Sequence, residues 1–141
     1  MKNRDIITLG NAGFLAATGH SLPVEHFYKF VKFKRALWKA YASVSDMQTA
    51  FAKEAGLDVK DLVPGGKPDA EALAKYNALN AQMIAEDCPM PAVRIPMDCY
   101  KGFYDENRAV MLGGRPVDLF ANIEVEGLIL ENLFSEDENN E

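Results

Sequence analysis

Pro23-Val-Glu-His-Phe-Tyr-Lys-Phe-Val-Lys-Phe-Lys-Arg-Ala-Leu-Trp-Lys-Ala-Tyr41 is the stretch whose reading decides the fold. Pro23 suits a first helical position, and Glu25 sits where a helix dipole favours an acid. Helical periodicity continues to Ala55, and Gly56-Leu57 reads as a glycine cap with its hydrophobic contact. At 100° per residue, Phe27, Phe30, Val31, Phe33, Leu37, Trp38, Tyr41, Val44 and Phe51 share one arc, with Glu25, Lys29, Lys32, Lys39 and Ser43 opposite. The arc is wider than the ~100° stripe of an ordinary surface helix. Such a helix is covered from two sides or meets another chain. About 33 helical residues span roughly 50 Å, whereas a domain of this size is under about 40 Å across. Either the helix breaks near Ser43-Val-Ser45, where serine and β-branched residues weaken it, or its overhang packs on a partner.

Upstream, Arg4 to Thr18 reads as a first helix, with Asn3 as N-cap and Gly19 placed to end it. Downstream, Leu57 to Pro68 is a loop punctuated by Pro64-Gly-Gly66. A third helix starts at Asp69 and runs to about Glu86, with Ala72, Tyr76, Leu79 and Met83 as its apolar stripe. A long helix, a loop and a shorter helix predict an antiparallel helical hairpin. Pro89, Pro91 and Pro96 then change the regime. Ala92-Val-Arg-Ile95 predicts an edge strand, Asp98 to Asn107 a helix capped by Asp98, and Gly113-Gly114 a turn. Residues Val117 to Phe134 fit either state. Phe120, Ile123, Leu130 and Phe134 suit a helix, while Ile123-Glu-Val-Glu126 alternates and Gly127 favours a break. The preferred reading is a short helix at Asp118–Ala121, then a strand pairing with residues 92–97. The expected fold is α+β and mainly α, a long helix and helical hairpin with a small C-terminal β element. Residues 1–134 are expected to form one domain, followed by a disordered acidic tail, 135–141.

The 141 residues suffice for one core. Net charge is −6, but Ser135-Glu-Asp-Glu-Asn-Asn-Glu141 carries four acids and no base; without it 17 acids face 15 bases. That body offers no electrostatic case for binding phosphate backbones. Lys2 and Arg4 before the apolar run Ile6–Ala17 loosely mimic a signal peptide, yet Asp5, Asn11, Gly10 and Gly13 interrupt it, favouring a folded helix. No stretch approaches the ~20 apolar residues of a membrane span. Two cysteines, Cys88 and Cys99, are too few for a disulfide-stapled secreted domain. The expected setting is therefore the cytoplasm, with neither membrane nor nucleic acid as partner.

Candidate chemistry is sparse. His20 and His26 are six residues apart, and Cys88 and Cys99 eleven; neither is the close pair of a zinc site. Cys99 follows Asp98 at an expected helix start, where the dipole would stabilise a thiolate. With His26 brought near by the fold, Cys99 and Asp98 form the candidate site of a small enzyme or ligand-binding domain. Gly10-Asn-Ala-Gly13 has no preceding strand, and Pro64-Gly-Gly-Lys67 lacks the Ser or Thr of a phosphate loop. The bases and aromatics after Phe27 resemble a single-strand nucleic-acid surface, but on a helix they separate, aromatics to the core and lysines to solvent. Lys34 is the exception, lying within the apolar arc. The reading preferred is a non-enzymatic interaction protein, without catalytic residue, metal or cofactor, that presents Lys34, Trp38 and Tyr41 to itself or to another protein.

Lys2-Asn-Arg-Asp-Ile-Ile-Thr-Leu9, the Ser21-Leu-Pro-Val24 joint, the Tyr76-Asn77 helix and the close Ile123-Glu-Val-Glu-Gly-Leu-Ile-Leu130 give the chain a layout. It resembles that of small uncharacterised proteins encoded by tailed phages and prophages, often among structural and tail genes. The aromatic load of the long helix is heavier than in that group. The resemblance implies a phage accessory or assembly protein, in the host cytoplasm or the virion, and carries over no functional residue.

Overall fold

A long helix persists when its first turn is seeded and its last is released cleanly, and α2 (Val24–Ala55) has both. Pro23 occupies the N-cap position with extended backbone, and its carbonyl accepts the N–H groups of His26 and Phe27. At the other end Gly56 turns left-handed at φ +84°. Its N–H donates to the Lys53 carbonyl and that of Leu57 to the Ala52 carbonyl, the paired bonds of a glycine stop. The computed structural model describes residues 1–57, 67 and 69–135. The loop expected around Pro64-Gly-Gly66 and the acidic tail after Ser135 lie outside the described residues.

Among the described residues there are five α-helices. These are α1 (Asn3–Ala12), α2, α3 (Ala70–Ile84), α4 (Tyr100–Glu106) and α5 (Ile123–Leu133). Two small sheets complete an α+β, mainly α fold. α2 does not break at Ser43-Val-Ser45. Its 32 residues, roughly 48 Å at the usual rise, stay continuous, and Thr49 bonds back to the Ser45 carbonyl within the helix. α3 packs against α2 as the second arm of the hairpin, and Gln48 donates to Asn80 across the pair at 3.0 Å. Asp69 caps α3 by accepting the Ala72 N–H, and Met83 is the buried member of the expected stripe.

The first helix is shorter than expected. It ends at Ala12, because Gly13 at φ +99° turns the chain out of the helix into a 3₁₀ turn, Phe14–Ala16. Asn3 is inside the helix, not its cap. It is buried, and its amide donates to the Met83 carbonyl at 2.9 Å, which satisfies an end group of α3. α1 crosses α2 at Gly10, so closely that a methyl group there would overlap the Tyr41 ring.

The C-terminal third departs most from expectation. The edge strand is only β1 (Ile95–Pro96), and residues 123–133 are helix rather than strand. Asn122 caps α5 by accepting the Glu124 N–H at 2.8 Å, and Val125, Ile129 and Leu133 are buried one turn apart. The helix therefore buries a different face from the one Phe120, Ile123 and Leu130 suggested, and leaves Ile123 84% exposed. Gly127 faces open space, so the weak helix former costs α5 no packing. Pairing with β1 survives only as β4 (Phe134–Ser135), parallel and in register Ile95↔Phe134. β2 (Val110–Leu112) and β3 (Arg115–Val117) form a hairpin about Gly113 and Gly114, whose φ values of +60° and +80° are those a two-residue turn needs. Asp98 is not a helix cap; it lies in a 3₁₀ turn, Met97–Cys99, that runs into α4.

Edge-on and tilted aromatic contacts tie these pieces together. Phe14 meets Phe30 and Phe33 of α2, Phe30 meets Phe103 of α4 at 5.5 Å, and Phe103 meets Phe134 of β4. In an exposed helix, Gly10→Ala would add about 1 kcal/mol of stability. Here the methyl must displace Tyr41, and we expect a net loss of about 1–3 kcal/mol in chemical denaturation. A Gly10→Ala protein as stable as wild type would show that the α1–α2 crossing is looser than described.

Candidate functional site

Between Val24 and Tyr41, α2 is two-sided. Phe30, Phe33 and Leu37 enter the core, but Trp38 is 62% exposed and Tyr28 71%. The separation expected from the helical wheel, aromatics inward and lysines outward, therefore fails for these two. They stand among Lys32, Arg35 and Lys39 on an open helix face. Trp38 divides two concavities. On one side is a concavity of about 660 Å³ between α2 and Pro91, lined by Tyr28, Lys32, Arg35 and Lys39 among others. On the other is a cleft of about 400 Å³ between α2 and the segment Leu15–His20.

The second wall of this cleft is held from α4. Asn107 is fully buried and uses its amide as a peptide would, accepting the Thr18 N–H at 2.8 Å and donating to the Thr18 carbonyl at 2.9 Å. Its remaining amide N–H goes to the Phe103 carbonyl. Next to it, the Glu106 carboxylate accepts the Thr18 hydroxyl and the backbone N–H groups of His20 and Ser21. Burial alone would raise the Glu106 pKa, but these donors outweigh it and hold the carboxyl below its ordinary value. Neither residue stood out in the sequence, where both closed an unremarkable short helix. Gly19 lies under Phe30 and Phe27, with room for no side chain.

Of the interface residues expected from the sequence, Lys34 and Trp38 share the cleft. The Lys34 ammonium donates to the Ala17 carbonyl at 2.7 Å and lies 5.7 Å from the Phe30 ring centroid. Burial lowers its pKa. Tyr41 lies elsewhere, half-buried against Gly10, with its hydroxyl donating to Asn11. Cys99 has its sulfur 3.6 Å from Asp98 Oδ1. Burial first, and the neighbouring Asp98 second, push its thiol pKa up, the reverse of the activation expected at a helix start. His26 has Nε2 3.8 Å from Glu25 and an unpartnered, buried Nδ1. Among the described residues no hydrogen bond joins it to Cys99 or Asp98, and no three His, Cys, Asp or Glu side chains are grouped to hold a metal ion. No helix among them is long and apolar enough to cross a membrane. Comparison with protein-family models, curated proteins and solved structures finds no match to this chain.

Two outcomes follow from this geometry. Because the folded Glu106 pKa is depressed, its stabilisation is complete above the ordinary value of 4.5 and is lost as pH falls below it. Glu106→Gln is expected to cost about 1–2 kcal/mol at pH 7, allowing for solvent screening. The difference from wild type should shrink in acid, and urea melts at pH 7 and pH 3 measure it. An equal deficit at both pH values would refute the charge-based account. In a Cys88→Ser background, Cys99 should react with iodoacetamide more slowly than free cysteine at pH 8; faster reaction would contradict the raised thiol pKa.

Proposed function

We propose that this chain is a non-enzymatic interaction protein that docks through the Lys34–Trp38 face of α2 onto an acidic surface of a further copy of itself, as a phage structural or assembly accessory. The observation that carries the reading is the exposed Trp38, standing among cations. Interfaces favour tryptophan because it removes a large area from water with few rotors to freeze. Charge complementarity selects the occupant. Val24–Tyr41 holds five of the 15 bases and only one acid, Glu25, so the rest of the chain has ten bases and 20 acids. Face-to-face pairing of two such helices would set cations against cations. A head-to-tail contact sets the basic face of one copy on the acidic remainder of the next, and repeated contacts of that kind build rings or filaments. The phage setting rests on the resemblance of layout. The reading through Cys99, Asp98 and His26 draws no comparable support, since burial and Asp98 raise the thiol pKa rather than lower it.

Light scattering after size exclusion, over a range of concentrations at low salt, tests the proposal. Mass should rise with concentration and fall back as salt screens the contact. Trp38→Ala should weaken assembly by roughly thirtyfold, as for a central interface residue, with far-ultraviolet circular dichroism unchanged. A wild-type monomer at every concentration would sink the self-assembly reading, and a Trp38→Ala protein that unfolds would make Trp38 a core residue.

A further inference from the structure

We infer that the cleft between α2 and the Leu15–His20 segment is a binding site for a small amphiphilic anion, an apolar chain or ring system ending in a carboxylate. This inference does not rest on the assembly reading. It comes from the residues that line the cleft; Lys34 and Trp38 belong to both surfaces, so a docked copy and a bound ligand would compete for them.

The volume, about 400 Å³, lies in the range of pockets that enclose small organic ligands. Leu15, Ala17, Phe27, Phe30, Val31 and Trp38 form apolar walls that would take up a hydrocarbon body. The charged groups are few and cationic. Lys34 and Arg35 border the cleft, with the neutral polar groups of Thr18 and the His20 ring beside them, and no aspartate or glutamate lines it. Lys34 spends one N–H on the Ala17 carbonyl and keeps two. Among the described residues no carboxylate comes within 4.0 Å of Lys34 or Arg35. A partly desolvated ammonium with spare donors, beside an apolar cavity, calls for an anionic head group whose tail is apolar. A neutral hydrocarbon would leave those donors dry, and a cationic amphiphile would meet like charge. A polyanion is disfavoured on other grounds. The chain as a whole is acidic at −6, and a single head group meets Lys34 inside one Debye length of about 8 Å, where the local cations dominate. Glu106 and Asn107 supply the rigidity such a site needs, since they fix the Thr18–Ser21 wall from behind.

Trp38 is the only tryptophan of the chain and borders the cleft, so its emission reports occupancy directly. Decanoate and decyltrimethylammonium, each titrated below its critical micelle concentration, and decanol, titrated below its solubility limit, separate the head-group contribution from the chain. Decanoate should give a saturable shift of Trp38 emission and bind roughly tenfold or more tightly than either of the others. Lys34→Gln should remove that preference while decanol binding stays as in wild type. Val31→Trp, which fills the cleft and leaves Lys34 in place, should abolish decanoate binding; as it adds a second fluorophore, isothermal calorimetry reads it, and circular dichroism verifies the fold of both variants. Equal affinity for the three probes would overturn the inference. So would an undiminished decanoate preference in Lys34→Gln, or decanoate binding that survives Val31→Trp. Running the titration at a concentration where the protein is monomeric keeps the result separate from assembly: binding there stands even where the self-association proposal fails.

Discussion

The surface of this protein depends on two adjacent side chains at the end of α4. Asn107 is buried with both amide donors and its carbonyl engaged, two of the three bonds made to the backbone of Thr18. Glu106 gathers three further donors from Thr18, His20 and Ser21. An irregular segment carries backbone groups that no helix or sheet satisfies, and unpaired groups in a partly buried place are costly. Here side chains more than 80 residues away in sequence complete them. The segment that leads from the Phe14–Ala16 turn into α2 is thereby fixed against the helix, with Gly19 packed on Phe30 and Phe27 and the cleft open beside that contact.

That arrangement also explains how an overlong, over-aromatic helix is accommodated. The C-terminal half of α2 is partnered by α3, and the middle by α1, whose Gly10 admits the Tyr41 ring. The N-terminal half buries Phe30 and Phe33 against Phe14, Phe30 also against Phe103, and Leu37 in the same core, while among the described residues Tyr28 and Trp38 stay exposed. Exposing large rings carries a standing free-energy cost in water. Lys32, Arg35 and Lys39 around them keep the face wetted, so the same surface combines apolar area with positive charge on an otherwise acidic chain. Like charge on this face works against its aggregation through bare hydrophobic contact.

Where local chemistry dominates, sequence and structure agree. Pro23, Gly56 and Leu57 bound α2 because a missing N–H and a left-handed glycine act on their immediate neighbours, and Asp69 and Gly113-Gly114 act as locally. The lysine inside the apolar arc, Lys34, is visible in the sequence in the same way, but the exposure of Trp38 is not. Misreadings occur where local signals compete. The first helix is expected to run to Gly19, but Gly13 ends it, where Phe14 turns to pack against α2. Residues 123–133 carry both periodicities, and burial of Val125, Ile129 and Leu133 decides for helix.

What the sequence determined by itself is a mainly helical chain with one dominant aromatic helix, a hairpin partner for it and a short β element, since caps, turns and periodicity are properties of neighbouring residues. What only the tertiary structure decided is which aromatics are core and which are surface, that Tyr41 serves the α1 crossing while Trp38 stays open, and that a cleft exists beside Lys34. Each of these depends on a contact between distant segments, such as Glu106 and Asn107 with Thr18, or Gly10 with Tyr41. Neither partner carries a mark of the other in its own neighbourhood, because long-range pairing is selected by the shape and hydrogen-bonding needs of the assembled core.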